Sequence, residues 1–451
     1  MTQESLPPLS PHPSSKEEPA KAQQQSSEPT IAQESLPPLT QLQSQFSAAG
    51  GVDEPTYGVK LAKTLKDGSS EIFCLRYSPD GRWLIACCGD GIVRCFNAVT
   101  NDLVRCLTTQ HKPAAKPTGE DGAAEANGEQ TTTDAHQPAT FVVMPCTTGA
   151  FRPDVGLSQE RNHLAVGISA GRVQEWSIPE GEKLTEISIG TSVEVLSVAY
   201  AHDAATFAVG TNDGVIRIYD EQTKELIKNL HPGVGFGTNV TDGHSSRVFG
   251  LRFHPTDSNL LVSAGWDSCV YVWDILKEQT IMNIFGPHVC GDALDITEHR
   301  ILTGSWRNSD RLQLWNLESG AAAGELSWGA KHWKESTGGS AGACRLYAAC
   351  FSHGKGADGK FIAAGGAGGP GGINEAKVYL HGGADKGESC SVIANLQNCT
   401  SGVMALAFNP KASRLAMGLG NGKVRKGSGP RVPEAGGLAE PSGSASGAVF
   451  S

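Results

Sequence analysis

The sequence predicts an all-β fold built by repetition, and three observations carry that prediction. Short β-type runs follow one another between Gly-, Asn-, Asp- and Pro-bearing turns. No long amphipathic helix is readable. One strand–turn–strand pattern returns at a spacing of roughly 40–55 residues.

Taken in order, residues 1–56 are rich in Pro, Gln, Ser and Glu and poor in aromatics, so they are expected to form a disordered tail that cannot bury enough apolar surface to order itself. Within it QESLPPLS (3–10) returns as QESLPPLT (33–40). Two readings stay open: a docking peptide or Ser10-Pro11 phosphosite, or a slippage duplication in unconstrained sequence. YGVKLAKTL (57–65) is a strand without a repeat of its own. IFCLRYSPDG (72–81) then leads to IACCGDGIVRCFN (85–97), a small apolar strand, a turn and an alternating strand that ends on an aromatic. Residues 111–140 interrupt as a disordered insertion.

The pattern resumes with CTTGAFRPD (146–154) before AVGISAGRVQEWS (165–177), and VLSVAYAHD (195–203) before AVGTNDGVIRIYD (208–220). VFGLRFHPTD (248–257) precedes LVSAGWDSCVYVWD (261–274), and DALDIT (292–297) precedes ILTGSWRNSDRLQLWN (301–316). Looser copies follow at LYAACFSH (346–353) with FIAAGG, and at VMALAFNP (403–410) with LAMGLGNGKV. Residues 426–451 form a Gly/Ser/Pro tail expected to be disordered.

These repeats resemble the WD40-repeat β-propeller family over roughly residues 57–425. The fullest copy, GHSSRVFGLRFHPTDSNLLVSAGWDSCVYVWD, supplies Gly243-His244, Ser263, Asp267 and Trp273-Asp274. The resemblance implies a hydrogen-bonded His–Ser–Asp–Trp chain within that blade, with Trp273 filling space between sheets. In the fifth copy His288, Thr303, Asp310 and Trp315 are expected to refill the same roles; in the first and third, Phe96 and Tyr219 stand in for Trp. Seven partial copies imply a seven-bladed β-propeller. The last copy lacks its outer strand, and 57–65 would supply it, which removes exposed sheet edges. After Val424 the alternation dissolves into RKGSGPRVPEAGG, so the last blade is expected to be incomplete and the weakest.

Charge narrows the function classes. The formal net charge is −10. Glu4, Glu17, Glu18, Glu28, Glu34, Asp53 and Glu54 face only Lys16 and Lys21 in the first 56 residues. Glu120, Asp121, Glu125, Glu129 and Asp134 face Lys112 and Lys116 in the insertion. The remainder is close to neutral, so direct capture of nucleic acid or an anionic membrane is not expected. Twelve Cys occur without CxxC pairs, no charged-then-apolar leader opens the chain, and no apolar run nears the roughly 20 residues that cross a bilayer. A reduced, cytoplasmic or nuclear protein is expected.

Chemistry-bearing motifs are weak. AAGGAGGPGGINEAK (363–377) lacks the GK[ST] of a phosphate loop, and GLGNGKV (418–424) places Val424 where Ser or Thr is required. Cys344, Cys350 and His353 read as structural residues and not as a metal set. No catalytic group, metal or cofactor is therefore expected. Trp266, Trp306 and Arg307, with Arg247 nearby, fall on the turns of one propeller face, and Trp328 and Trp333 flank GAKH (329–332) in the link to the sixth blade. Trp and Arg dominate interface energetics; Trp before a turn Asp also packs on the blade top, and both readings stand. The expected function is a non-catalytic protein–protein interaction scaffold, a monomeric propeller that presents its turn-side face to peptides or domains within a complex. An enzyme with a channel-mouth site, or a chromatin- or RNA-associated subunit acting through partners, is the alternative.

Overall fold

The computed structural model describes residues 61–66, 70–109, 143–155, 161–231, 243–326, 328, 344–354, 358–368, 372–382, 390–396 and 399–428. These residues lie within the compact unit Pro55–Ser451. The tail 1–56, the insertion 111–140, Trp333 and residues 429–451 lie outside the described set.

Strand β1, Leu61–Lys66, opens the described chain. Blade one follows as β2 Ile72–Tyr77, β3 Trp83–Cys88, β4 Ile92–Asn97 and β5 Leu103–Thr108. Blade two is β6 Cys146–Phe151, β7 His163–Ile168, β8 Arg172–Ser177 and β9 Glu182–Ser188. Blade three is β10 Val195–Tyr200, β11 Thr206–Thr211, β12 Ile216–Asp220 and β13 Leu226–Leu230. Blade four is β14 Val248–Phe253, β15 Leu260–Gly265, β16 Cys269–Asp274 and β17 Gln279–Phe285. Blade five is β18 Leu294–Ile296, β19 Arg300–Gly304, β20 Leu312–Asn316 and β21 Ala322–Glu325. Blade six is β22 Cys344–Phe351, β23 Phe361–Gly368, β24 Ala376–His381 and β25 Cys390–Leu396. Blade seven takes β26 Val403–Phe408, β27 Arg414–Leu419 and β28 Lys423–Ser428. Its fourth strand is β1.

Each blade is a four-stranded antiparallel sheet in chain order, apart from the last, ordered β1–β28–β27–β26. The innermost strands β2, β6, β10, β14, β18, β22 and β26 pack each on the next, and β26 packs back on β2. Seven sheets thus close around an axis. Second strands such as LLVSAG (β15) and TFAVGT (β11) are buried along nearly their whole length because neighbouring blades cover both faces. Trp273 is 2% exposed and packs with Ala208, Ile216 and Ile218 of blade three. Burying a side chain of that size between blades contributes roughly 3 kcal/mol.

The first-to-second strand pairing skips one residue in six blades, at Phe73, Thr147, Leu196, Phe249, Tyr347 and Met404. A bulge at this point tightens the twist of the innermost strand and frees one side chain from the ladder. All six side chains are half-buried.

The ring closes more firmly than the sequence suggests. β28 does not stop at Val424; it runs on to Ser428, paired to β27 on one side and β1 on the other. Two ladders fix its backbone, so it needs no apolar alternation. Lys426, 3% exposed, replaces an apolar residue by sending its ammonium to Ala98 O at 2.7 Å and Asn101 Oδ1 at 2.6 Å in blade one. Arg414 Nη1 donates to the same carbonyl at 2.9 Å. The last blade is a complete four-stranded sheet whose two cations reach across to the first.

Candidate partner-binding face

Because the strands are antiparallel, the start of each innermost strand and the turn between second and third strands lie at the same end of a blade. At that end of blade four, the turn Trp266–Ser268 is set by a buried polar chain. Trp273 Nε1 donates to Ser263 Oγ at 2.7 Å, and Ser263 lies 2.8 Å from His244 Nε2. His244 Nδ1 lies 2.9 Å from Asp267 Oδ2. With the imidazole proton on Nδ1, Ser263 donates to Nε2, Nδ1–H donates to Asp267, and each group has a partner. Asp267 also accepts from the backbone N–H groups of Ser245 (3.0 Å) and Cys269 (3.2 Å). A network satisfied at every member rigidifies what it holds, and here it holds the turn that carries Trp266.

Blade five keeps half of this arrangement. Trp315 Nε1 donates to Thr303 Oγ1 at 2.9 Å. His288 and Asp310 do not complete it. The hairpin from Ser305 to Arg311 is longer than its blade-four counterpart and is closed by Ser305 N–H to Arg311 O at 2.7 Å. Asp310 is carried outward, exposed and at φ 50°. His288 instead shares a hydrogen bond with Ser268 Oγ at 3.1 Å and packs at a tilt against Trp266 with ring centroids 4.4 Å apart. Burial, then the nearby Arg307 guanidinium, lowers the His288 pKa, so the ring is neutral at neutral pH.

The result is a continuous ladder over blades four to six. Phe249 meets Trp266 at 6.1 Å and Trp266 meets His288. Trp306 N–H donates to His288 O at 2.8 Å, and the Trp306 ring packs 4.2 Å from Tyr347. Cations interleave with the rings. Arg247 sits beside Trp266, whose N–H bonds the Arg247 carbonyl at 2.9 Å. Arg307 Nη2 donates to Ser268 Oγ at 3.0 Å, and the Arg345 guanidinium lies 5.4 Å from the Trp306 ring centroid. Trp266, Trp306 and Arg247 are half-buried and Arg307 is exposed. The two tryptophans thus pack on the blade tops and still present area to solvent.

One of the sequence candidates falls elsewhere. Trp328 is not part of an exposed face: it is 6% exposed, packed near Tyr379, and its carbonyl accepts from buried Lys377. The link after blade five carries it into the inter-blade core, where its bulk fills space between blades five and six. Trp333 lies outside the described residues. Cys344 Sγ turns to Glu375 O at 3.9 Å while His353 binds Asp295. Among the described residues no cluster of three or more His, Cys, Asp or Glu is arranged to hold a metal.

A second constellation escaped sequence reasoning. Arg76 of blade one reaches across to Asp292, which opens blade five, with Nη2 to Oδ1 at 2.9 Å. Arg252 of blade four joins Asp292 Oδ1 at 3.0 Å and Asp295 Oδ1 at 3.0 Å. His353 of blade six adds 2.8 Å to Asp295 and 3.1 Å to Asp358. Despite the desolvation that opposes it, Arg76 and Arg252 hold Asp292 well ionised, its pKa below the usual carboxylate range. Asp295 is likewise lowered against desolvation, chiefly by His353. The neighbouring carboxylates raise His353 to about 10. The only sequence signal is the Leu-Arg pair at the same place in two innermost strands, Leu75-Arg76 and Leu251-Arg252.

Comparison with known proteins places these features. The profile "WD domain, G-beta repeat" matches residues 59–97, 182–220 and 237–274. "Meiotic fizzy-related protein 1" of Schizosaccharomyces pombe is 27% identical over 163 residues, 36% of this chain and 35% of that protein. "B-type cell cycle switch protein ccs52A" of Medicago truncatula is 28% identical over 161 residues, 35% of this chain and 30% of that protein. "WD repeat and SOCS box-containing protein 1" of Takifugu rubripes is 24% identical over 230 residues, 51% of this chain and 46% of that protein. The chain therefore spans less than half the length of each of these relatives. A chain of the "Crystal Structure of Mitotic Checkpoint Complex" superposes with TM-score 0.59 at 14% identity, over 86% of this chain and 97% of that one. That likeness shows the fold.

Proposed function

Since the chain belongs to the WD40-repeat β-propeller family, we propose that it is a non-catalytic scaffold whose turn-side face over blades four to six holds peptide or domain partners. One observation carries this reading: the aromatic and guanidinium ladder from Arg247 to Tyr347 spans three blades and stands on short, hydrogen-bonded turns. Side chains already fixed lose little entropy on binding, so the face is pre-organised for a partner. Its described side chains include aromatic rings, a neutral imidazole and guanidiniums, types that anchor interfaces. Relatives named as a cell cycle switch protein and a SOCS box-containing protein fit a role exercised through other proteins. A reducing intracellular setting fits twelve cysteines that form no disulfide.

The test is affinity capture from native cells, wild type against Trp266→Ala/Trp306→Ala. An anchor central to an interface contributes about 2 kcal/mol, or roughly 30-fold. The double variant should therefore lose specific partners while keeping its thermal midpoint within a few degrees. Retention of every partner by a folded double variant places binding on another surface.

A further inference from the structure

We infer that the turn-side face of blades four to six recognises an anionic peptide segment of its partner, one bearing clustered carboxylates or phosphates. The inference rests on the docking face proposed above and adds the chemistry of its ligand.

Three guanidiniums, Arg307, Arg311 and Arg345, stand along the aromatic ladder, and Arg247 lies on the same end of blade four. Among the described residues none of them meets a carboxylate. Asp310 shares the blade-five turn, yet no ion pair joins it to them. Elsewhere six arginines, Arg76, Arg94, Arg152, Arg172, Arg217 and Arg252, each hold an acid within 3.0 Å, whereas Arg105 and Arg414 meet backbone carbonyls. The ring outside the tail and insertion is close to neutral, so three guanidiniums gathered at one end of it form a local positive patch. A positive patch without a carboxylate partner among the described residues is complementary to a negative ligand.

The cations are also positioned. Asn308 accepts from Arg311 Nε through its backbone oxygen at 2.8 Å and from Arg345 Nε through Oδ1 at 3.2 Å. One residue thereby links the blade-five turn to the start of blade six and sets two guanidiniums by their Nε atoms. Arg307 is set by Ser268, and Arg345 is steadied over Trp306. Guanidiniums fixed in this way suit bidentate recognition of carboxylate or phosphate groups. The rings between them offer flat apolar contact to the intervening residues of an extended peptide. A peptide is favoured over nucleic acid because the rest of the ring supplies no broad positive field to follow a long polyanion.

The experiment is calorimetric titration of the full chain with defined probes at 50 and 200 mM salt. They are a twelve-residue peptide with six glutamates, its glutamine and lysine counterparts, a version with two phosphoserines, and a twelve-nucleotide oligouridylate. The glutamate or phosphoserine peptide should bind at least ten-fold tighter than the glutamine one. Its affinity should fall several-fold with salt. Arg307→Ala/Arg345→Ala should weaken it at least ten-fold with an unchanged thermal midpoint. Equal binding of the glutamine peptide, no binding of either anionic peptide, undiminished binding by the double variant, or tighter binding of the oligouridylate overturns the inference. Loss of cellular partners in Trp266→Ala/Trp306→Ala without any acidic preference removes the anion and leaves the docking face; retained partners remove the face itself.

Discussion

Two sets of arginines in this propeller make opposite use of one side chain. Arg76 and Arg252 point from innermost strands into a compensated cluster, where Asp292 meets both of them, Asp295 meets Arg252, and His353 joins from blade six. Arg307, Arg311 and Arg345 lie along the turns of blades five and six and meet backbone, hydroxyl, amide and ring partners. The first set ties together blades one, four, five and six from inside. The second leaves its charge available outside. In the first set the fold supplies the counter-charge; in the second the described residues supply only neutral partners.

The comparison breaks most visibly at Asp292. Asp292→Ala strands the partly buried Arg76 guanidinium and leaves Arg252 with Asp295 alone, and removing one partner of such a pair costs about 3–5 kcal/mol. Thermal or urea denaturation should show a loss near the lower end of that range; a loss under about 1 kcal/mol would mean that the cluster is not bracing the ring. The blade networks give a smaller contrast. Ser263→Ala leaves Trp273 Nε1–H and His244 Nε2 without their shared partner and should cost about 2 kcal/mol, whereas Thr303→Val, which orphans only Trp315 Nε1–H, should cost about 1 kcal/mol. Equal costs would deny any extra value to the longer chain.

Alkaline pH probes the compensated cluster alone. His353 has a folded pKa raised to about 10 from 6.5 by Asp295 and Asp358, against desolvation. Its stabilising share is therefore full below about pH 6.5 and declines as pH rises through about 10. Asp295, lowered in the fold, acts in the opposite sense and is lost as pH falls. The thermal midpoint should drop between pH 7 and 10.5 in wild type and drop less in His353→Gln. Parallel curves would show that His353 holds no excess proton. Smallest of all, Arg307→Ala/Arg345→Ala should change stability by no more than about 0.5 kcal/mol, since neither residue has a counter-charge to lose. A destabilisation near that of Asp292→Ala would assign these arginines to the fold.

Much of the architecture was legible because it is local and repeated. The strand–turn–strand grammar gives blades one to six directly, and YGVKLAKTL supplies the edge strand that pairs with β28. The reach of β28 was not legible, since KGS carries no alternation and is held by ladders on both sides. In blade five the residue types were present, but a longer hairpin displaced Asp310 and redirected His288 to Trp266. Trp328 reads as a link residue beside Gly and Lys, and only packing against Tyr379 reveals it as core. The ion cluster was beyond reach, because Arg76 and Asp292 are 216 positions apart and meet only when the ring closes.

Hydrogen exchange of the full chain with and without a partner captured by the wild-type protein tests the docking face most directly. The account predicts slowed exchange concentrated at residues 244–249, 266–268, 305–311 and 345–347. Protection confined to the opposite turns, such as 201–205 and 254–259, or to the outer strands β13 and β17, would contradict it.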